Sequence, residues 1–384
     1  MEVLNFSSKR GQNEIYSDFA EREKIQGLKN LNVPTLRFSE FTEDWVQYKI
    51  SNICKIATGN KNTQDKEDDG IYPFYVRSQN VERINSWTFD GEAILTAGDG
   101  VGVGKVFHYS LGKIGVHQRV YILSDFNCYG KFLYNYFSSR FYNRVKRMSA
   151  KNSVDSVRME MIADMPISIP NEREQIKIGE LLSLLDERIA TQNKIIQQLQ
   201  SLIKGIYDKA FEDISDYQKL SSVCTVQKGQ QVNGEELSEL GDYYVMNGGI
   251  EPSGYYDRYN TYANTISISE GGNSCGYVQY NNVPFWSGGH CYTLQNIKEG
   301  YHNLFLYHYL KAREKEIIAL RIGSGLSNIQ KKDLEKFIVP ILPLETQVGI
   351  VDGINKIETK LKQEKDMLLA YQKQKAYLLS NLFI

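Results

Sequence analysis

From Leu182 onward, apolar side chains recur in steps of three and four: Leu182, Leu185, Ile189, Ile196, Leu199, Ile203, Ile206 and Ala210, with Gln192 alone interrupting. That spacing puts one apolar stripe along one face of a helix and predicts a coiled-coil seam. Moved on by 172 positions, the same steps read Ile354, Ile357, Leu361, Glu364, Leu368, Tyr371, Lys375, Leu378 and Leu382. Glu364 breaks the second stripe where Gln192 breaks the first, and Lys375 stands where an apolar residue is expected. A helix of about 40 residues is on the order of 60 Å long at 1.5 Å per residue. Neither stripe can be buried by its own helix, so each predicts a partner helix.

Upstream of each helix the pattern changes to short β-rich runs separated by glycine and asparagine turns. The first set is Tyr72–Val76, Ala93–Thr96, Lys105–Tyr109 and Val120–Leu123; the second is Tyr243–Met246, Thr265–Ile268, Tyr277–Tyr280 and Tyr292–Leu294. A helix is predicted to follow each set, starting near Gly130 or His302, and prolines then punctuate the chain at Pro166 and Pro170 or at Pro340 and Pro343. The sequences agree as well as the patterns. ISNICKIATG at Ile50–Gly59 answers LSSVCTVQKG at Leu220–Gly229, and FLYNYF at Phe132–Phe137 answers FLYHYL at Phe305–Leu310. Gln175 to Phe211 matches Gln347 to Phe383 without a gap.

A period this long lies outside the range of solenoid units, so the repeat is a duplicated domain-plus-helix module. The expected fold class is α+β: two similar heads separated by two long antiparallel coiled-coil helices, related by a pseudo-twofold internal repeat. The expected boundaries are an N-terminal extension at 1–33, heads at 34–169 and 213–341, and spacer helices at 170–212 and 342–384. Antiparallel pairing would set the heads at opposite ends of the rod. Two similar heads on two equal rods are suited to holding two sites at a fixed spacing.

Composition narrows the function classes. The 384 residues are 41% hydrophobic and 24% charged, which is globular, and too long for one ordinary core. No apolar run reaches membrane length and the N-terminus lacks a signal-peptide core, so a cytoplasmic location is expected. Five cysteines without a CxxC pair fit a reducing compartment. Cys54 and Cys224 occupy one repeat position, as two small buried side chains rather than a bridge. GDGVGVG at Gly98–Gly104 lacks the lysine, serine or threonine and helix start of a phosphate loop, and is read as turns near a ligand backbone. The five histidines have no metal-ligand spacing, no methyltransferase NPPY or DPPY motif is present, and no nucleophile–base arrangement stands out. Neither a catalytic centre nor a metal or cofactor site is expected in this chain.

The side chains that the heads do offer suit DNA. The net charge is −1, but basic residues cluster after each FLY helix: Arg140, Arg144, Lys146, Arg147, Lys151 and Arg158 in one copy, and Lys311, Arg313, Lys315, Arg321, Lys331 and Lys332 in the other. Two such runs at one repeat position favour a shared anionic partner. The first head adds Arg77, Gln79, Asn80, Arg83, Lys105, Gln118 and Arg119; the second adds Asn247, Tyr256, Arg258, Asn260, Asn273 and His290. Arginine matches guanine and asparagine or glutamine matches adenine, while tyrosine reaches phosphate. The heads differ most in these loops, as expected if one fold reads two sequences.

Taken in order, these features resemble the specificity subunits of type I restriction–modification systems. The resemblance rests on the VPTLRFSEFTEDW entry at Val33–Trp45, the FLYNYF and FLYHYL helices, and the proline–acid–glutamine junctions Pro170-Asn-Glu-Arg-Glu-Gln175 and Pro343-Leu-Glu-Thr-Gln347. It covers residues 33–384. It implies that each head reads half of an interrupted, asymmetric double-stranded target and that the helices set the gap. It further implies that the helices dock two modification subunits, through faces including Gln175, Leu182, Leu185, Ile189, Gln192, Gln347, Ile357, Leu361 and Glu364. S-adenosylmethionine, ATP and Mg would belong to those subunits and to two restriction subunits, the assembly methylating adenine and cleaving DNA. Two other readings stand beside it: a coiled-coil scaffold whose heads bind protein or glycan, and a fragment of a single-chain restriction–modification enzyme.

Overall fold

The computed structural model describes residues 32–148, 156–212, 214–323 and 327–384. Lys151 and the extension up to residue 31 lie outside the described residues. The chain divides into two units: Met1–Ala190 with Leu369–Ile384, and Thr191–Leu368.

The first unit opens with β1 (Val46–Lys49) and the short helix α1 (Ile50–Ile53). Strands β2 (Lys55–Thr58), β3 (Tyr72–Tyr75), β4 (Val81–Ile84), β5 (Phe89–Ala97), β6 (Phe107–Val116) and β7 (Val120–Ser124) form a six-stranded sheet in the order β2-β7-β5-β6-β3-β4. Its central strand β5 buries Ala93, Ile94, Leu95 and Ala97, so both faces are covered there. Helix α2 (Gly130–Met148) lies against the sheet, with Phe107 meeting Phe137 edge-on at 5.5 Å. After α3 (Met159–Ala163), β8 (Pro166–Ile169) pairs antiparallel with β1. Pro166 lacks an N–H and starts this two-stranded ribbon, where a missing donor is tolerated.

The second unit repeats the plan with β9 (Tyr217–Lys219), β10 (Thr225–Lys228), β11 (Tyr243–Met246), β12 (Tyr255–Tyr256), β13 (Thr265–Ser269), β14 (Val278–Asn281), β15 (Trp286–Ser287), β16 (Cys291–Gln295) and β17 (Ile338–Pro340). Here the sheet is split into β10-β16-β13-β14 and β12-β11-β15, with β17-β9 as the ribbon. The long β6 of the first unit corresponds to β14 and β15 together. Pro284 interrupts that run, and proline cannot donate to a ladder. Parallel pairing survives the split: Tyr75 opposes Val116 in one unit and Met246 opposes Ser287 in the other. Helices α5 (Asn303–Ala312), α6 (Glu314–Ala319) and α7 (Lys331–Leu334) complete this head.

Two long helices, α4 (Glu172–Ala210) and α8 (Leu344–Asn381), carry the predicted seams. Every seam position from Leu182 to Ala210 and from Ile354 to Leu382 is buried or half-buried. Within the first unit the helix segments run antiparallel, with the Lys375 ammonium on the Asp186 carboxylate and Arg188 Nη1 3.5 Å from the Tyr371 hydroxyl. Lys375 therefore tolerates a seam position because a carboxylate neutralises it there. Within the second unit, Gln192 meets Glu364. The terminal phenylalanines are equivalent plugs. Phe383 packs on Phe132 and Tyr136 at 5.4 and 5.5 Å, and Phe211 packs on Phe305 and Tyr309 at 5.9 and 5.1 Å.

The junction motifs explain how the helices start. Asn171 Oδ1 accepts the Glu174 N–H at 3.0 Å, which caps α4. Glu174 in turn receives Arg37 through Nε and Nη2, both at 2.8 Å, tying down the entry segment. Gln175 accepts the Tyr129 N–H at 2.9 Å and donates to the Pro170 carbonyl at 2.8 Å. Gln347 repeats this with the His302 N–H and the Gly300 and Leu342 carbonyls, each at 2.8 Å. Both glutamines are buried, and their amides are engaged inside their own unit rather than presented to a docking surface. Cys54 and Cys224 are buried too, each with its thiol toward a carbonyl four residues back; burial pushes both thiols up to about 12. They are core residues and not nucleophiles.

Candidate nucleic-acid interface

Both heads build a cleft at one place on one backbone frame. In the first, the Gly98 N–H donates to the Arg119 carbonyl at 2.8 Å; in the second, the Glu270 N–H donates to the His290 carbonyl at 2.9 Å. One residue further, Asp99 bridges to Ser156 and Gly271 to Asn328. The frame is shared and the side chains on it are not.

The first cleft, about 450 Å³, is lined by Asp99, Gln118, Arg119 and Arg158. Asp99 accepts Arg77 Nη1 at 3.0 Å and lies 3.7 Å from Arg119 Nε, so one carboxylate holds one exposed guanidinium and sits beside a second. The turn carrying Arg119 is held by His117, whose buried Nδ1 accepts the Arg119 N–H at 3.0 Å. Burial, helped by the nearby Arg77 charge, holds the His117 pKa down and keeps that nitrogen an acceptor. Gln118 donates to Asn62 Oδ1 at 2.6 Å. The glycine run supplies turns rather than a phosphate cradle. Gly102 is close against the Arg77 carbonyl, where an added Cβ would stand 2.5 Å away.

The second cleft, about 600 Å³, is lined by Lys228, Asn247, Glu270, Asn273, His290 and Asn328. Asn247 Oδ1 accepts the His290 N–H at 3.0 Å, and Glu270 takes the Lys228 ammonium at 2.7 Å. Asn273 is exposed at the mouth.

Other expected contacts fall elsewhere. Gln79 and Asn80 are exposed in the turn between β3 and β4, beside Arg77. Arg83 is engaged by its own hairpin, donating to the Gly70 and Ile71 carbonyls at 2.9 Å. Asn260 is a staple: it donates to the Ser287 carbonyl at 3.0 Å and accepts the Ser287 N–H at 2.7 Å. Tyr256 is buried with its hydroxyl on Glu236 at 2.8 Å, and Arg258 reaches that hydroxyl at 3.1 Å. Lys105 stands 5.0 Å over the Tyr142 ring.

The basic runs are also more engaged than their sequences imply. Arg140 caps the Phe383 carbonyl at 2.7 Å, and Arg144 donates to the Met161 carbonyl at 2.8 Å. Arg147 remains exposed, with a long 3.3 Å contact to Asn143. In the second run, Lys311 and Arg313 pair with Glu314 and Glu316, and Lys331 lies 3.7 Å from Glu335. The sequence pattern points to Arg, Asn, Gln and Tyr as DNA contacts and so misses Asp99 and Glu270. Their position at a glycine turn ending a central strand was the available signal.

Known proteins bear directly on this duplicated frame. The family described as "Type I restriction modification DNA specificity domain" matches residues 42–201 and again 214–369. The chain belongs to the type I restriction–modification DNA specificity family. The specificity subunit of the type I restriction enzyme EcoDI from Escherichia coli is 27% identical over 161 residues, 42% of this chain and 35% of that relative. A putative type I specificity subunit of Mycoplasma pneumoniae is 31% identical over 151 residues, 39% of this chain and 40% of the relative. The matched part of the chain thus spans well under half the length of these two curated relatives. The putative MjaX specificity subunit of Methanocaldococcus jannaschii is aligned over 88% of this chain and 94% of its own length, at 23% identity. Among solved structures, the S subunit of a type I system from M. genitalium shares the fold, with a TM-score of 0.69 at 19% identity over 92% of this chain and 99% of that one. Among the described residues, no helix of this family member is long and apolar enough to cross a membrane, and no His, Cys, Asp and Glu cluster could hold a metal.

Proposed function

We propose that the chain is the DNA-reading subunit of a type I restriction–modification complex. Each head takes half of a bipartite, asymmetric duplex target; the paired helices set the spacer and dock two modification subunits. The chain performs no chemistry. S-adenosylmethionine would come with the modification subunits, which methylate adenine, and ATP and Mg with two restriction subunits. As a DNA-reading subunit it would work in the cytoplasm.

One observation carries the reading: a shared frame presents Arg77 and Arg119 around Asp99 in one head, and Asn247, Glu270 and His290 in the other. A fixed frame with exchanged polar groups at its rim is suited to reading different base edges. The side chains Leu182, Leu185, Ile189, Ile357 and Leu361 are buried or half-buried, which supports a role in holding the rod together; docking then falls to the outward faces. Co-expression with a modification subunit, followed by sequencing of methylated adenines, tests the proposal. A two-part motif with a fixed gap is expected. Methylation at an undivided motif, or none that depends on this chain, would overturn it.

A further inference from the structure

We propose that the cleft of the second head is an acceptor site in which Glu270 receives the exocyclic N4 amine of a cytosine. The proposal rests on the DNA-reading function above and assigns one base position within it.

Glu270 ends at the lip of β13, and its side chain is only 8% exposed. Oε1 is satisfied twice, by Lys228 Nζ at 2.7 Å and by the Tyr292 hydroxyl at 3.0 Å. Oε2 is buried and, among the described residues, has no hydrogen-bond partner. His290 Nδ1 is 3.7 Å from it, which is beyond hydrogen-bond reach. A buried carboxylate oxygen without a donor is costly, and an approaching N–H would relieve that cost. The lip of the cleft is bare backbone: Gly248, Gly249, Gly271 and Gly272 carry no side chains to block it. A Cβ on Gly248 would press on the His290 and Gly271 carbonyls at 3.1 and 3.3 Å, at a backbone φ of +86° that side chains rarely adopt. Glycine there lets the turn pack against those carbonyls, while an added Cβ on Gly272 would meet nothing within 4 Å, so the lip is open at that residue.

Hydrogen-bond polarity selects the base. In the major groove guanine presents two acceptors, thymine an acceptor and a methyl group, and adenine a donor flanked by an acceptor. Cytosine alone presents a donor without a neighbouring acceptor, and a carboxylate only accepts. His290, exposed on the same rim, can donate to the guanine of that pair. The first head has the opposite polarity at this point. Gly98 stands in place of Glu270, and the adjacent Asp99 pairs with Arg77 and lies beside Arg119, two exposed guanidiniums that supply donors.

The test is selection of sites from a randomised duplex library by the full chain, as wild type, Glu270→Gln and Glu270→Ala, with thermal denaturation of each. The wild type should prefer cytosine at one position of one half-site by roughly 5- to 150-fold. Glu270→Gln should turn that position toward adenine, whose N6 and N7 match an amide, and Glu270→Ala should make it degenerate; the other half-site serves as the internal control and should not change. Unaltered preference at every position with Glu270→Gln would overturn the proposal while leaving DNA reading intact. A uniform loss across both half-sites, with a lowered Tm in both variants, would overturn it in favour of a loop-holding role. A wild type that selects no sequence would remove the DNA-reading function itself, and this assignment with it.

Discussion

The Gln192 side chain meets its own repeat counterpart: its amide donates to the Glu364 backbone carbonyl at 3.1 Å and to the Glu364 carboxylate, across a sequence separation of 172 residues. Both side chains are buried. Lys360, with its ammonium 2.5 Å from the carboxylate, and Gln192 hold the Glu364 carboxyl below its usual range. A single polar layer of this kind fixes the register of an apolar seam at some cost in stability. Replacing both residues with leucine is expected to raise Tm while loosening register or partner choice. Glu364→Leu alone should lower Tm, because the buried amide loses its carboxylate. A double variant less stable than wild type would contradict this account of the layer.

The two junction glutamines are expected to matter for folding and not for docking. Gln175→Ala and Gln347→Ala each strand a buried N–H and one or more carbonyls, so each should cost about 1–3 kcal/mol. Denaturant titration of the single variants would measure it. Unchanged midpoints, with loss of association with a modification subunit, would return both residues to the interface expected from sequence.

What the sequence disclosed, and what it did not, follows from the range of the interactions. The seams were legible because helix periodicity is local, down to the polar pair at Gln192 and Glu364. The strand at Tyr243–Met246 was legible to the residue, since its β-rich run is bounded by turns. The apolar pattern of β6 breaks at Ser110, Gly112 and Lys113, yet pairing with β5 carries the strand to Ile114 and pairing with β3 to Val116. The ribbons β1-β8 and β9-β17 join segments more than 100 residues apart and have no local signature. The site was legible only in part. Arg77, Gln118, Arg119, Asn247 and Asn273 do come to the clefts, whereas Arg83 and Asn260 were chosen for chemistry that their own loops use.

Acid should destabilise the second unit through His308. Its side chain is 1% exposed, its Nδ1 lies 2.9 Å from the Tyr207 hydroxyl and 4.0 Å from Glu358, and burial pushes its pKa down from 6.5 to about 4. The unfolded chain therefore takes up the proton first. Stability from the neutral ring is fully present above pH 6.5 and is lost as pH falls toward 4, by at most about 3 kcal/mol. Glu358, whose pKa burial raises, acts in the opposite sense and offsets part of the loss. The first head has Asn135 at this repeat position, so His308→Asn is the natural test. Its Tm should fall less than that of the wild type between pH 6.5 and 4; parallel curves would dismiss His308 as the source.

The first basic run should separate into two behaviours. Arg147 is exposed, so Arg147→Ala should weaken binding to all DNA alike and reduce the salt dependence by roughly one slope unit. Arg144 holds the Met161 carbonyl, so Arg144→Ala should lower Tm as well. An unchanged salt slope for Arg147→Ala would make that residue an ordinary solvated cation.

Division of labour between heads and helices supplies the last prediction. Arg77→Ala or Arg119→Ala should relax only one half of the methylated motif, and Asn247→Ala only the other, since each residue lines one cleft or pairs within it. A lost base contact should cost about 1–3 kcal/mol, enough to make one position degenerate without abolishing binding. Asn260→Ala is expected to behave differently: its loss frees the Ser287 turn and should blur the whole half-site rather than one position. Lengthening the helices probes the ruler. Four residues inserted after both Thr191 and Gln363 add roughly 6 Å of helix and just over one full turn, so the apolar stripe is only slightly rotated. Both half-sites should then persist while the gap grows by about one or two base pairs at ~3.4 Å each. If the half-sites changed and the gap did not, the helices would be a scaffold that leaves DNA geometry to other parts of the complex.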